Sequence, residues 1–112
     1  MSNGSPEPPT GGIENCDFIF LLKYTPKGIE SLRESPARVE KTNEVVRGKF
    51  KAFCAFTSTS GKYDMVSFFN GTDQQAYEFQ LWLRSLGTLE VDMLKTHAKS
   101  MEAYNSMLRS LF

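Results

Sequence analysis

Several things are scarce in this chain of 112 residues. It has one histidine, His97, and two cysteines, Cys16 and Cys54. The cysteines form no CxxC step and no Cys/His cluster, which speaks against a structural zinc site and against a disulfide framework; a reducing compartment suits them. Thirteen basic side chains balance thirteen acidic ones. With no net charge there is no bulk field to gather nucleic-acid phosphates or an anionic membrane. No apolar run approaches the roughly 18 residues that span a bilayer, and the opening "MSNGSPEPPTGGIEN" lacks the basic and apolar blocks of a signal peptide. A cytoplasmic protein is expected, with no membrane or nucleic-acid partner and no metal or organic cofactor.

The length suits a single domain with one real core. Residues 1–15 hold Pro6, Pro8, Pro9, several Gly and Ser and, after Met1, one large apolar side chain, Ile13. That composition cannot bury enough surface to order itself. A disordered tail over 1–15 and a domain over 16–112 are expected.

Within the domain, "DFIFLLKY" (17–24) reads as a strand. "TP" at Thr25 and Pro26 then opens a helix, with Ile29, Leu32, Val39 and Val46 near helical spacing. Ser35 and Pro36 interrupt it, as a kink or as a second helical start, and Gly48 is the natural stop. "FKAFCAFTSTS" (50–60) and "GKYDMVSFFN" (61–70) read as a hairpin. Thr72 and Gln75 form a capping box before a helix with Ala76, Phe79, Leu83 and Leu86 on one face, ending at Gly87. "TLEVDMLKT" (88–96) alternates Leu89, Val91 and Met93 against Glu90 and Asp92, the pattern of an edge strand with one wet face. Met101, Tyr104, Leu108 and Leu111 mark a last amphipathic helix.

The order is β-α-β-β-α-β plus a C-terminal helix, a ferredoxin-like α+β fold with an antiparallel four-stranded sheet in the order 4-1-3-2. Sheets covered by helices on one side ordinarily alternate apolar and polar residues. "FIFLL", "FCAF" and "MVSFF" do not alternate. Both faces are apolar, so the second face needs a cover. A homodimer formed through that face is the first candidate. A lipophilic small-molecule ligand is the second, and the terminal helix folded across the face is the third.

The polar end of the sheet gathers Tyr24, Thr57, Ser58, Ser60, Gly61, Lys62, Tyr63, Asp64 and Thr88. Tyr24, Ser58, Gly61, Lys62, Tyr63 and Asp64 are the candidate site, with Tyr63 and Asp64 the candidate catalytic pair. A phenol and a carboxylate beside an apolar core are groups that proton transfer uses. The same residues also suit a structural role, with Gly61 at positive φ, Asp64 on amides of the turn or of a neighbouring helix start, and Tyr63 over the core edge. His97 is a poor partner for Asp64, because a strand of about eight residues holds them roughly 25 Å apart. Lys23 is placed to pair with Glu90 or Asp92 across strands. Cys54 reads as a small core residue, and Leu81 and Trp82 as contacts for the last helix or a second subunit.

The stretches "TPKGI" (25–29), "SPAR" (35–38), "GKYDMV" (61–66) and "SLGTLEV" (85–91), in this order, resemble the GYD domain family over residues 17 to about 108. Lys62 stands inside the naming Gly-Tyr-Asp step, as the looser G-x-Y-D pattern allows. The resemblance implies a dimeric α/β barrel and marks Gly61, Tyr63 and Asp64 as signature positions; it implies no catalytic residue. The functional expectation is a small oligomeric binding or regulatory module. The alternative is a cofactor-independent monooxygenase- or isomerase-like enzyme with a pocket at the Gly61–Asp64 rim. A third reading, an RNA-recognition motif on the same topology, fails on Asp64 and Met65, which stand where that motif needs a small residue and a stacking ring.

Overall fold

A computed structural model of the chain describes residues 16–50 and 54–112; of Phe50 and of residues 54–56 it describes the backbone alone. The expectations for the tail over 1–15 and for the Cys54 side chain fall outside what is described.

Strand β1 spans Phe18–Tyr24. Thr25 then caps a short helix α1, Pro26–Glu30: its Oγ1 accepts the amide of Gly28 at 3.1 Å. A 3-10 turn, Leu32–Glu34, leads into helix α2, Ser35–Val45, with Pro36 in its first turn. Of the two roles open to the Ser35–Pro36 step, the chain uses the second helical start. Gly48 is not the stop. The helix widens into a π-helical turn over Val46–Phe50, in which Val46 is buried and a Cβ on Gly48 would meet only open space. With no packing demand for a left-handed stop at Gly48, the backbone keeps helical hydrogen bonding through it.

Strands β2, Cys54–Ser58, and β3, Met65–Phe69, form the expected hairpin, with β3 starting four residues later than Gly61. Helix α3, Asp73–Ser85, carries the full capping box between Thr72 and Gln75. Strand β4, Leu89–Lys95, and helix α4, Met101–Leu111, complete the chain. The sheet order is β2-β3-β1-β4, antiparallel throughout, which is the 4-1-3-2 order read from the other edge.

The register assigns the two faces. Phe18, Phe20, Leu22, Met65, Ser67 and Phe69 are buried on the face that meets α3 and the end of α2, where Ala76, Phe79, Leu83 and Val46 join them. Phe20, Phe69 and Phe79 form the centre: Phe20 stands edge-on to both neighbours, at 5.8 and 5.2 Å between centroids, and Phe69 stacks on Phe79 at 5.0 Å. On the other face Ile19, Leu21, Val66 and Phe68 are half-buried and Leu94 is exposed. Glu90 and Asp92 give β4 its wet side, as the alternation requires.

Candidate functional site

The inner face of α2 is the reason a site exists at all. Helix α3 lays Ala76, Phe79 and Leu83 on the sheet, all buried, whereas α2 has no buried residue and turns Arg38, Val39, Thr42 and Asn43 inward. Polar side chains of this length cannot close on an apolar floor as alanine and phenylalanine do. A cavity of about 50 Å³ remains between α2, α3 and the sheet. That is several times the ~10–15 Å³ that one water needs. Leu22, Met65 and Ser67 form its floor, Phe79, Leu83 and Leu86 one wall, and Leu89 and Thr88 an end.

Its polar groups converge from three elements. The Tyr24 hydroxyl meets Ser35 Oγ at 2.9 Å, bridging the end of β1 to the start of α2. Arg38, half-buried, donates to the Oγ and the carbonyl of Ser31, both at 3.2 Å, with Glu34 at 3.9 Å. Thr88 is 5% exposed, and its Oγ1 is the buried side-chain oxygen among the described residues that has no hydrogen-bond partner. An unmade hydrogen bond of this kind costs roughly 1–3 kcal/mol. The Thr88 carbonyl, by contrast, is in use: it accepts the Thr25 amide at 3.1 Å, and Gly28 is packed so close that a Cβ there would stand 2.3 Å from it. Glycine at position 28 is what lets α1 lie against this end of the cavity.

The Gly61 rim lies beside the cavity. Gly61 has φ +97° and turns the loop between β2 and β3, which is closed by Thr59 donating from its amide to the Asp64 carbonyl and from its hydroxyl to the Tyr63 carbonyl. Asp64 Oδ2 accepts the Tyr24 amide at 2.8 Å, and the Asp64 amide donates to the Leu22 carbonyl. The carboxylate thus extends the sheet by one rung where β1 outruns β3. Tyr63 points the other way, along the open face: its hydroxyl donates to Asp92 Oδ2 at 2.8 Å and Lys62 Nζ stands 5.6 Å from its ring centre. The bond to Asp92 pushes the Tyr63 phenol above its ordinary value, with slight desolvation and the neighbouring charge acting the same way. Ser58 ends β2 and is exposed.

Of the six sequence candidates, Tyr24 alone lines the cavity. Asp64 touches it through the Tyr24 backbone, while Ser58, Gly61, Lys62 and Tyr63 frame the adjoining loop. Lys23 faces Glu90 in the register, yet its ammonium lies 3.5 Å from the Lys62 carbonyl and Asp92 serves Tyr63 instead. His97 is exposed at the opposite end of β1, where neighbouring Thr96 bonds the carbonyls of Cys16 and Asp17. Met65 faces the helices, which removes the stacking position an RNA-recognition motif needs. Sequence reasoning about the rim did not reach Arg38 and Asn43. The usable signal was a helix face with polar residues where apolar ones should recur.

The family model of the GYD domain matches residues 18–108. The chain belongs to the GYD domain family. Comparison with curated proteins and with solved structures gives no match. The matched segment of this GYD domain includes both ends of the cavity. The stretches that resemble the family bear directly on it: "SPAR" contributes Ser35 and Arg38, "TPKGI" contributes the close-packed Gly28, and "SLGTLEV" contributes Leu86, Thr88 and Leu89. Among the described residues no helix is long and apolar enough to cross a membrane.

Proposed function

We propose that this GYD domain is a small oligomeric binding module of the cytoplasm: a second subunit covers its open sheet face, and a small, mostly apolar molecule with one hydrogen-bonding oxygen occupies the cavity beneath α2. The observation that carries the ligand half is Thr88, a residue that lines the cavity and whose buried hydroxyl has no partner among the described residues. Buried polar groups ordinarily have one. A ligand hydroxyl or carbonyl supplies it, and Leu22, Phe79, Leu83 and Leu89 receive the apolar body. Asp64 acts as a positioning residue, fixing the backbone of Tyr24 so that the phenol spans to Ser35 at the cavity wall.

The oligomer half is supported by Ile19, Leu21, Val66, Phe68 and Leu94, which share a face to which α4 contributes no buried residue. An isologous contact suits an apolar sheet face of this kind. The buried Cys16 thiol is raised above its ordinary pKa chiefly by desolvation and also by Asp17, against an opposite pull from Lys99.

Thr88→Val tests the ligand half. Valine is isosteric and removes the unpaired hydroxyl, so the unliganded protein should gain stability in urea, by about 1 kcal/mol. Binding of 2-propanol and acetone, followed by NMR shifts of Leu83, Leu86 and Leu89, should weaken. If none of these probes moves the cavity resonances of the wild type, the cavity is not a binding site.

A further inference from the structure

Helix α4 presents a row of large apolar side chains to solvent. Met101 is 73% exposed and Leu111 68%, with Tyr104 and Met107 between them and Phe112 following. No residue of α4 is buried. It is nevertheless a properly built helix: Ser100 caps it, Oγ accepting the Ala103 amide at 3.0 Å. Its root is pinned. Thr96 bonds Cys16 and Asp17, and Lys99 pairs with Asp17 at 2.8 Å. A capped, anchored helix of 11 residues, none of them buried against the described residues, is too short to be stable in water by itself.

Three covers can be weighed. The tail over 1–15 has, after Met1, only Ile13 to offer. A lipid surface is recognised by amphipathic helices rich in Lys and Arg, but the polar side of α4 carries Glu102 and Arg109, which cancel. A second copy of the chain remains, and the size of the open sheet face argues for it independently. Four strands at ~4.8 Å and five to seven paired residues at ~3.3 Å make a flat footprint of roughly 300–450 Å². Even with side-chain relief that falls well short of the ~800 Å² per partner of an ordinary stable interface. A dimer resting on the sheet alone is under-sized.

We infer that α4 is an arm for a second copy of this chain: its stripe of Met101, Tyr104, Met107, Leu108 and Leu111 packs on the partner protomer and completes the contact that the open sheet face begins. The inference rests on the sheet-face dimer proposed above. The stripe runs about 16 Å at 1.5 Å per residue, and two-fold symmetry uses it twice. Helix α4 follows β4, whose Leu94 lies on the open face, after the short connection over 96–100.

The test uses the full-length chain. Sedimentation equilibrium of wild type and of the double variant Tyr104→Ser, Leu111→Ser should show a dimer whose Kd rises by about tenfold or more in the variant. The urea midpoint measured at concentrations where both are monomeric should not move. A photo-crosslinking residue placed at Met107 should give a covalent dimer. A dimeric wild type with the same Kd as the variant overturns the arm and leaves the sheet-face contact standing. Crosslinks confined to one chain, with a lowered urea midpoint in the variant, overturn it in favour of a helix that folds on its own protomer. A wild type that is monomeric at every concentration overturns both the arm and the sheet-face dimer.

Discussion

The two faces of the sheet have almost the same composition and opposite fates. On one, Phe20 and Phe69 are fully buried among Phe79, Leu83 and Val46; on the other, Phe68 and Leu21, one residue away in each strand, are only half-buried. Hydrophobicity therefore does not separate them. What separates them is the connection: both β-α-β crossovers place α2 and α3 on the same side, as the handedness of such units requires. The apolar residues of the other face are legible as apolar, but these two helices leave them half-buried.

The largest expected effect breaks that comparison outright. Phe20→Ala removes a ring that is 0% exposed and edge-on to two others, and should cost about 3–5 kcal/mol in urea denaturation. Phe68→Ala should cost the monomer much less, while dimer formation in sedimentation is lost. Equal losses of monomer stability would mean that the open face is already covered within one chain.

A smaller effect compares the two signature side chains at the end of the sheet. Asp64→Asn weakens a charge-assisted bond to the Tyr24 amide and should lower stability by about 1–2 kcal/mol, with displaced amide resonances at Tyr24 and Thr25. Tyr63→Phe, on the exposed side, should leave the denaturation midpoint where it was. The reverse ranking would make Tyr63 the structural member of the pair.

The smallest effect is a titration. The Tyr63 phenol is held above its ordinary pKa by its bond to Asp92. For a group whose folded value is raised, the favourable contact is complete below the unfolded value and disappears as pH rises through the folded one. Tyrosinate absorbance should therefore develop at higher pH in the wild type than in Asp92→Ala. Coincident curves would show that the bond does not persist in solution.

The legible and the illegible can be told apart residue by residue. Gly61 at positive φ, the Thr72–Gln75 capping box and the second helical start at Ser35 all follow from rules that act within a few residues, whereas Asp64 bonds the Tyr24 amide of another strand. Gly48 misled, because a glycine after an arginine signals a stop only if nothing favours continuation, and the π-helical turn carries on to Phe50. Lys23 misled in another way: it stands opposite Glu90, but the loop over 59–64 offers its ammonium a carbonyl. Arg38 and Asn43 line the cavity from a helix face whose local pattern spells no binding motif.

By itself the sequence determined the order of elements, the strand pairing, the family and the excess of apolar surface, because periodicity, capping and composition are written in neighbouring residues. The tertiary structure alone decided how that surface divides between the two faces and where a cavity opens. The cavity joins Tyr24, Arg38 and Thr88, which are far apart in the chain and share no local pattern, and it exists because α2 meets the sheet with polar side chains while α3 meets it with apolar ones. Close packing is a property of facing elements, so neither the gap under α2 nor the uncovered stripe of α4 is written in either helix alone.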